Sequence, residues 1–191
     1  MMALADALHE WEQMWRATGA PVDEILSAGL RPDEVRAAIG REAVHPDVLT
    51  WFGWHNGAHG LWDAVPSGRH MFGLDTLLQL RPLVKKWAEA IRPPATELQY
   101  REAFFPLLNN DDNDTVLVDL DTGEVVRHEI EEMVERSPTL LLIGEDLESV
   151  VRVWMDLLRG LHVKYEPGQV YFDIDKADVP VHLLERGIVI A

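Results

Sequence analysis

Apolar residues recur every three or four positions in several segments of the chain, which predicts amphipathic helices. The predicted helices cover residues 4–18, 22–28, 32–39, 46–55, 75–91 and 147–161. The third and fourth begin at Pro32 and Pro46, because proline is favoured in the first helical turn. Asn56-Gly57 is expected to stop the fourth helix. Pro82 is expected to divide the fifth into two pieces, with an apolar stripe at Leu83, Val84, Trp87 and Ile91.

The middle of the chain changes to the pattern of strands. Residues 104–108 form a short apolar run that contains Pro106, so an edge strand or a bulge is expected there. Residues 115–120 alternate and are rich in β-branched side chains, and after a turn at 121–123 the chain returns over 124–128. This is the clearest hairpin in the sequence. Residues 169–174 predict a further strand, and 183–190 match neither pattern.

At 191 residues, of which 47% are apolar, the chain suits one folded domain, and no linker divides it. Its formal net charge is −16. Thirteen acidic residues and two arginines lie between Asn109 and Val150, so this stretch carries eleven of the sixteen net charges. Such a charge repels nucleic acid and anionic lipid and attracts basic surfaces, although acidity also keeps a protein soluble.

Catalytic and metal-binding motifs are missing from the sequence. There is no cysteine, no glycine-rich phosphate loop and no G-x-S-x-G elbow. His55 and His59 are separated by Asn56-Gly57, which would break any helix aligning them. The segment 119–123 fails as a calcium loop, because Ile130 stands where the bidentate glutamate is needed. We therefore expect no catalytic residue, no metal and no cofactor.

The residues also predict where the protein resides. The first ten residues carry no basic leader, and no run of eighteen apolar residues occurs. Together with the lack of cysteine, this favours a soluble cytoplasmic protein that binds neither membrane nor nucleic acid.

The order of motifs resembles the SUKH superfamily, which includes bacterial immunity proteins and a fungal cell-wall synthesis regulator. The similar stretches are residues 28–35, 45–57 (a proline-initiated helix followed by an aromatic residue and Asn-Gly), 105–108, the Asn-Asp loop 109–114, 115–120 and the helix 147–161. Members of the superfamily often carry an aspartate where Asp119 stands. The resemblance covers roughly residues 4–161, and 162–191 would extend the same single domain.

The resemblance implies an α+β fold, with N-terminal helices packed against a mainly antiparallel sheet and a helix after the central hairpin. It also implies a non-catalytic protein-binding module, and the first hypothesis is an immunity protein that neutralises a polymorphic or contact-dependent toxin. A toxin domain with a basic face would then meet the acidic residues Asp111, Asp112, Asp114, Glu131, Glu132 and Glu135. A solvated turn is the competing interpretation of 111–114. A regulatory scaffold for cellular partners and an uncharacterised enzyme or small-ligand binder are the alternatives, and the oligomeric state stays open.

Overall fold

The computed structural model describes residues 3–59, 70–90, 98–109, 115–129, 139–160, 163–165 and 172–174. The helices in these ranges are α1 (Leu4–Ala17), α2 (Val22–Ile25), α3 (Pro32–Ile39), α4 (Pro46–Trp54), α5 (Leu74–Ala90) and α6 (Leu147–Arg159). The strands are β1 (Leu26–Ala28), β2 (His55–Ala58), β3 (Phe104–Asn109), β4 (Thr115–Asp119), β5 (Val125–Glu129), β6 (Thr139–Gly144), β7 (Val163–Tyr165) and β8 (Phe172–Ile174). All strand pairs are antiparallel, so the expected α+β class is confirmed.

Helices α1, α4 and α6 share a core that is rich in tryptophan. Trp11 and Trp15 of α1, Trp51 of α4 and Trp154 of α6 are each at most 2% exposed. Ring centroids lie 5.0 Å apart for Trp11–Trp15, 5.9 Å for Trp11–Trp154 and 6.2 Å for Trp51–Trp154. The rings are tilted or edge-on, as aromatic pairs prefer. The apolar stripe predicted for α1 therefore faces a core that the last described helix completes.

The main sheet has the strand order β3–β4–β5–β6. The predicted hairpin is formed by β4 and β5, in which Val116 pairs with Arg127 and Val118 with Val125. Successive strand residues point to opposite faces, so the sheet contributes to two apolar clusters. Phe105 and Val118 join the tryptophan core, whereas a second cluster contains Val84 of α5 with Phe104, Leu117 and Val126.

The two outer strands of this sheet differ in character. As predicted, β3 is an edge strand with an irregularity, because its register shifts between Pro106 and Leu108. Its last residue, Asn109, also exchanges backbone hydrogen bonds with His70. The opposite edge, β6, was not predicted from the sequence and neither was β7, while β8 falls within the predicted strand 169–174. Residues 169–171 and 183–190 lie outside the described residues.

The predicted helix over 22–28 is wrong in its second half. Helix α2 ends at Ile25, and residues 26–28 form β1, in which Leu26 pairs with Ala58 of β2. Strand pairing together with burial of Ile25 and Leu26 outweighs the local helical pattern.

Helix α4 ends one residue before its predicted end, but Asn56-Gly57 is not the turn that was expected to stop it. The helix ends at Trp54, and Asn56-Gly57 belongs to β2. The Asn56 side chain instead contacts α5: its Oδ1 accepts a hydrogen bond from the backbone N–H of Leu74 at 2.8 Å. It thereby satisfies one of the unpaired donors at the start of α5.

Pro82 does not divide α5, which runs without interruption from Leu74 to Ala90. Proline removes one backbone hydrogen bond, but the helix is held by buried side chains on either side of it, Leu77 and Val84. The predicted apolar stripe is wrong at Leu83, which is 47% exposed.

Candidate functional site

None of the six acidic residues expected to contact a partner can be placed. Asp111, Asp112 and Asp114, and likewise Glu131, Glu132 and Glu135, lie outside the described residues. Their role stays a prediction, and the candidate site has to be built from other parts of the molecule.

A polar cluster joins α1 to the end of α4. The Glu12 carboxylate accepts hydrogen bonds from Arg16 at 2.6 Å and from Trp54 Nε1 at 2.8 Å, and it lies 3.3 Å from His55 Nε2. Burial alone would raise the pKa of Glu12, but these contacts outweigh it and hold the pKa below its usual value. Nδ1 of His55 lies 2.8 Å from the Ser27 carbonyl oxygen. The cluster's polar atoms contact one another, so it serves as a structural junction.

Asp119, the aspartate to which the resemblance drew attention, organises a turn. It is 1% exposed, and its Oδ1 accepts hydrogen bonds from the backbone N–H groups of Asp121 and Thr122 at 2.8 and 3.1 Å. Its Oδ2 lies 3.2 Å from Arg101 Nε. The carboxylate is therefore committed to shaping the β4–β5 turn. Nowhere in the described ranges do three histidine, aspartate or glutamate side chains form a group suited to a metal ion.

The exposed apolar residues point to a different place. Of the described large apolar side chains, Leu83, Leu141 and Leu142 are exposed, and the last two are neighbours in β6, with exposures of 42% and 55%. Among the described strands, β6 has β5 as its only hydrogen-bonded neighbour. Beside it lies a depression of about 410 Å³ lined by Leu142, Ile143, Gly144, Glu145, Asp146 and Ser149.

The loop from β6 into α6 gives this depression an acidic rim. Asp146 caps α6, because its Oδ1 accepts a hydrogen bond from the Ser149 N–H at 2.7 Å, and Glu145 is exposed. Glu148 is paired with Arg152 at 2.6 Å.

Asp47, at the start of α4, adds a fourth carboxylate. Burial raises its pKa, and Asp146 and Glu148 raise it further, against the opposing effects of His45 and the Leu147 N–H. The starts of helices α4 and α6 thus bring carboxylates near one another.

We call Leu141, Leu142, Glu145 and Asp146 the β6 edge surface. Apolar strand edges bind other chains through their unpaired backbone groups, and acidic rims select basic partners. The arrangement can therefore bind a polypeptide. Sequence reasoning missed it, although the uncharged run Thr139–Ile143 carried a strand signal; its position at a sheet edge becomes visible only from the strand order.

In the described part of the chain, no helix combines the length and apolar character needed to cross a bilayer. Neither the comparison with protein-family models nor that with curated proteins finds a match for this chain.

Proposed function

We propose that this chain is a non-catalytic protein-binding module of the SUKH superfamily, and that it acts in the cytoplasm as an immunity protein against a toxin domain with a basic face. The observation that carries the proposal is the β6 edge surface, where the exposed Leu142 lines an acidic depression and its neighbour Leu141 is exposed as well. Exposed apolar patches rimmed by polar groups are typical of interaction sites. The motif resemblance supplies the superfamily.

The charge distribution supports a basic partner. With a net charge of −16, the protein attracts a basic domain over several ångströms and accelerates its capture. Rapid capture suits an inhibitor whose target kills the cell.

The partners of two carboxylates support a binding role over a catalytic one. Glu12 is engaged by Arg16 and Trp54, and Asp119 is engaged by the backbone of its own turn. Both carboxylates are occupied in holding elements of the fold together.

Genetic rescue tests the proposal directly. Each polypeptide encoded beside this gene would be expressed from an inducible promoter in a bacterial host, with and without the present chain. We expect one neighbour to arrest growth, the chain to restore it, and the purified pair to elute as one complex. A toxic neighbour that the chain neither rescues nor binds would overturn the immunity function. Binding of a harmless cellular protein instead would establish the scaffold alternative.

A further inference from the structure

The two edges of the main sheet are protected to different degrees. Edge strands usually carry a proline, a charge or a covering segment that prevents pairing with other chains. Strand β3 has Pro106, and His70 bridges its end. Strand β6 has the sequence Thr-Leu-Leu-Leu-Ile-Gly, six residues with neither a charge nor a proline. Its edge therefore lacks the sequence features that discourage strand addition.

The side chains of β6 are arranged to receive a strand. Neighbouring residues of a strand point to opposite faces, so Leu141 and Leu142 extend on different sides of the sheet. Both are exposed, which means that each face offers apolar surface at this edge. An added strand would cover both leucines with its own alternate side chains, as in β-strand addition.

Charge decides between a second copy of this chain and a different partner. Glu145 and Asp146 line the depression at the end of β6, and the charges of Asp146 and Glu148 also act on Asp47. Glu148 is paired with Arg152. A second copy of this chain would be repelled before its β6 could pair with this one, because each chain carries a net charge of −16. A basic segment would be attracted by the same charge.

We propose that the partner binds by adding an extended basic segment to the outer edge of β6, with an arginine or lysine in the depression lined by Glu145 and Asp146. This inference rests on the proposed protein-binding function and specifies its geometry. The raised pKa of Asp47 supports it, because a cation arriving here would neutralise carboxylates that are crowded and partly buried.

A synthetic peptide tests the geometry without knowledge of the natural partner. The probe is a ten-residue peptide of alternating arginine and valine, titrated into the full chain by isothermal calorimetry. One control replaces arginine by glutamate, and a second carries N-methyl groups on alternate amides, which prevents strand pairing while keeping the side chains. We expect the probe to bind at least about tenfold more tightly than either control, a difference of about 1.4 kcal/mol. Amide hydrogen exchange in β6 should slow when it binds.

Matched variants locate the contact. Leu142→Lys should weaken binding of the probe about tenfold, whereas Leu83→Lys, at an exposed leucine on α5, should leave it unchanged. Both positions are exposed, so neither change should disturb folding by more than about 0.5 kcal/mol. Glu145→Gln should weaken binding and reduce its dependence on salt.

The outcomes separate this inference from the proposed function. Equal binding of the N-methylated peptide, absence of binding by the probe, or self-association of the chain through β6 would each overturn strand addition. If Leu142→Lys still rescued growth and bound the toxin with unchanged affinity, the immunity function would stand and the β6 contact would be wrong. If the chain rescued nothing, the immunity function would fall independently of the peptide result.

Discussion

Replacing Glu12 by alanine should destabilise the fold by about 2 kcal/mol, because a partly buried acceptor is removed from several donors. The Glu12 side chain is 12% exposed and accepts from Arg16 and Trp54, with His55 further away at 3.3 Å. Arg16 keeps its two hydrogen bonds to Asp23, at 2.6 and 2.7 Å, so losing the contact with Glu12 costs this side chain little free energy. The half-buried Trp54 N–H loses a charged acceptor, which costs about 1.5–3 kcal/mol.

Urea denaturation followed by tryptophan fluorescence measures this loss. With an m-value of about 2 kcal/mol/M, the midpoint should fall by about 1 M. Circular dichroism should give the same midpoint if unfolding is two-state. The matched control is Glu10→Ala in the same helix, where the more exposed carboxylate pairs with Arg159 at 2.5 Å and contributes at most about 1 kcal/mol.

The pH dependence follows from the lowered pKa of Glu12. A carboxyl whose pKa is lower in the folded state contributes stability above the pKa of the unfolded chain, about 4.3, and loses it as the pH falls through the folded pKa. The difference in the free energy of unfolding between the wild type and Glu12→Ala should therefore be largest at pH 7 and should shrink at acidic pH. Equal effects of Glu12→Ala and Glu10→Ala at pH 7 would refute the structural role of the cluster.

Three further predictions test other parts of the fold by urea denaturation. Burial and nearby carboxylates raise the pKa of Asp47, so its ionisation opposes folding. Asp47→Asn should therefore stabilise the protein at pH 7, and this benefit should fade as the pH falls through the raised pKa and be lost below about 4. Destabilisation by Asp47→Asn at pH 7 would contradict this. Asn56→Ala should cost about 1 kcal/mol by removing the cap of α5, and no loss would show that the cap is dispensable. Gly123→Ala should lower the free energy of unfolding by more than Gly40→Ala does. Both glycines have positive φ, at +82° and +75°, so both substitutions introduce backbone strain. Only at position 123 would the new Cβ also meet a neighbouring ring, that of His45, 2.5 Å away.

Local patterns predicted the helices whose apolar faces are buried. The periodicity of α1 and α6 identified the side chains that form the tryptophan core, and Pro106 correctly indicated an edge strand with an irregular register. These predictions succeeded because spacing along one element determines which face it buries. The hairpin of β4 and β5 was predicted for a similar reason, since its turn and alternation are local.

The failures involve contacts between segments far apart in sequence. Leu26 belongs to a strand because it pairs with Ala58. The side chain of Asn56 caps α5 because the start of that helix, 18 residues later in the sequence, lies beside it. The candidate site was missed for the same reason. Leu142 is exposed because β6 is the last described strand of the sheet, and this strand order depends on contacts that local sequence patterns do not show. Acidic composition predicted the sign of the surface but could not show where an apolar edge accompanies it.

The packing of α1 against α6 has a consequence for synthesis on the ribosome. Glu10 and Arg159 are 149 residues apart in sequence, yet they form an ion pair, and Trp11 contacts Trp154 nearby. At roughly 5–20 residues per second, α1 emerges about 8–30 s before α6 can cover its apolar face. During that interval the nascent chain exposes tryptophans that are buried in the folded protein, so the tryptophan core closes only after α6 has been synthesised. A chain truncated before α6 would leave the apolar faces of α1 and α4 uncovered. We expect quality-control proteases to degrade such a chain.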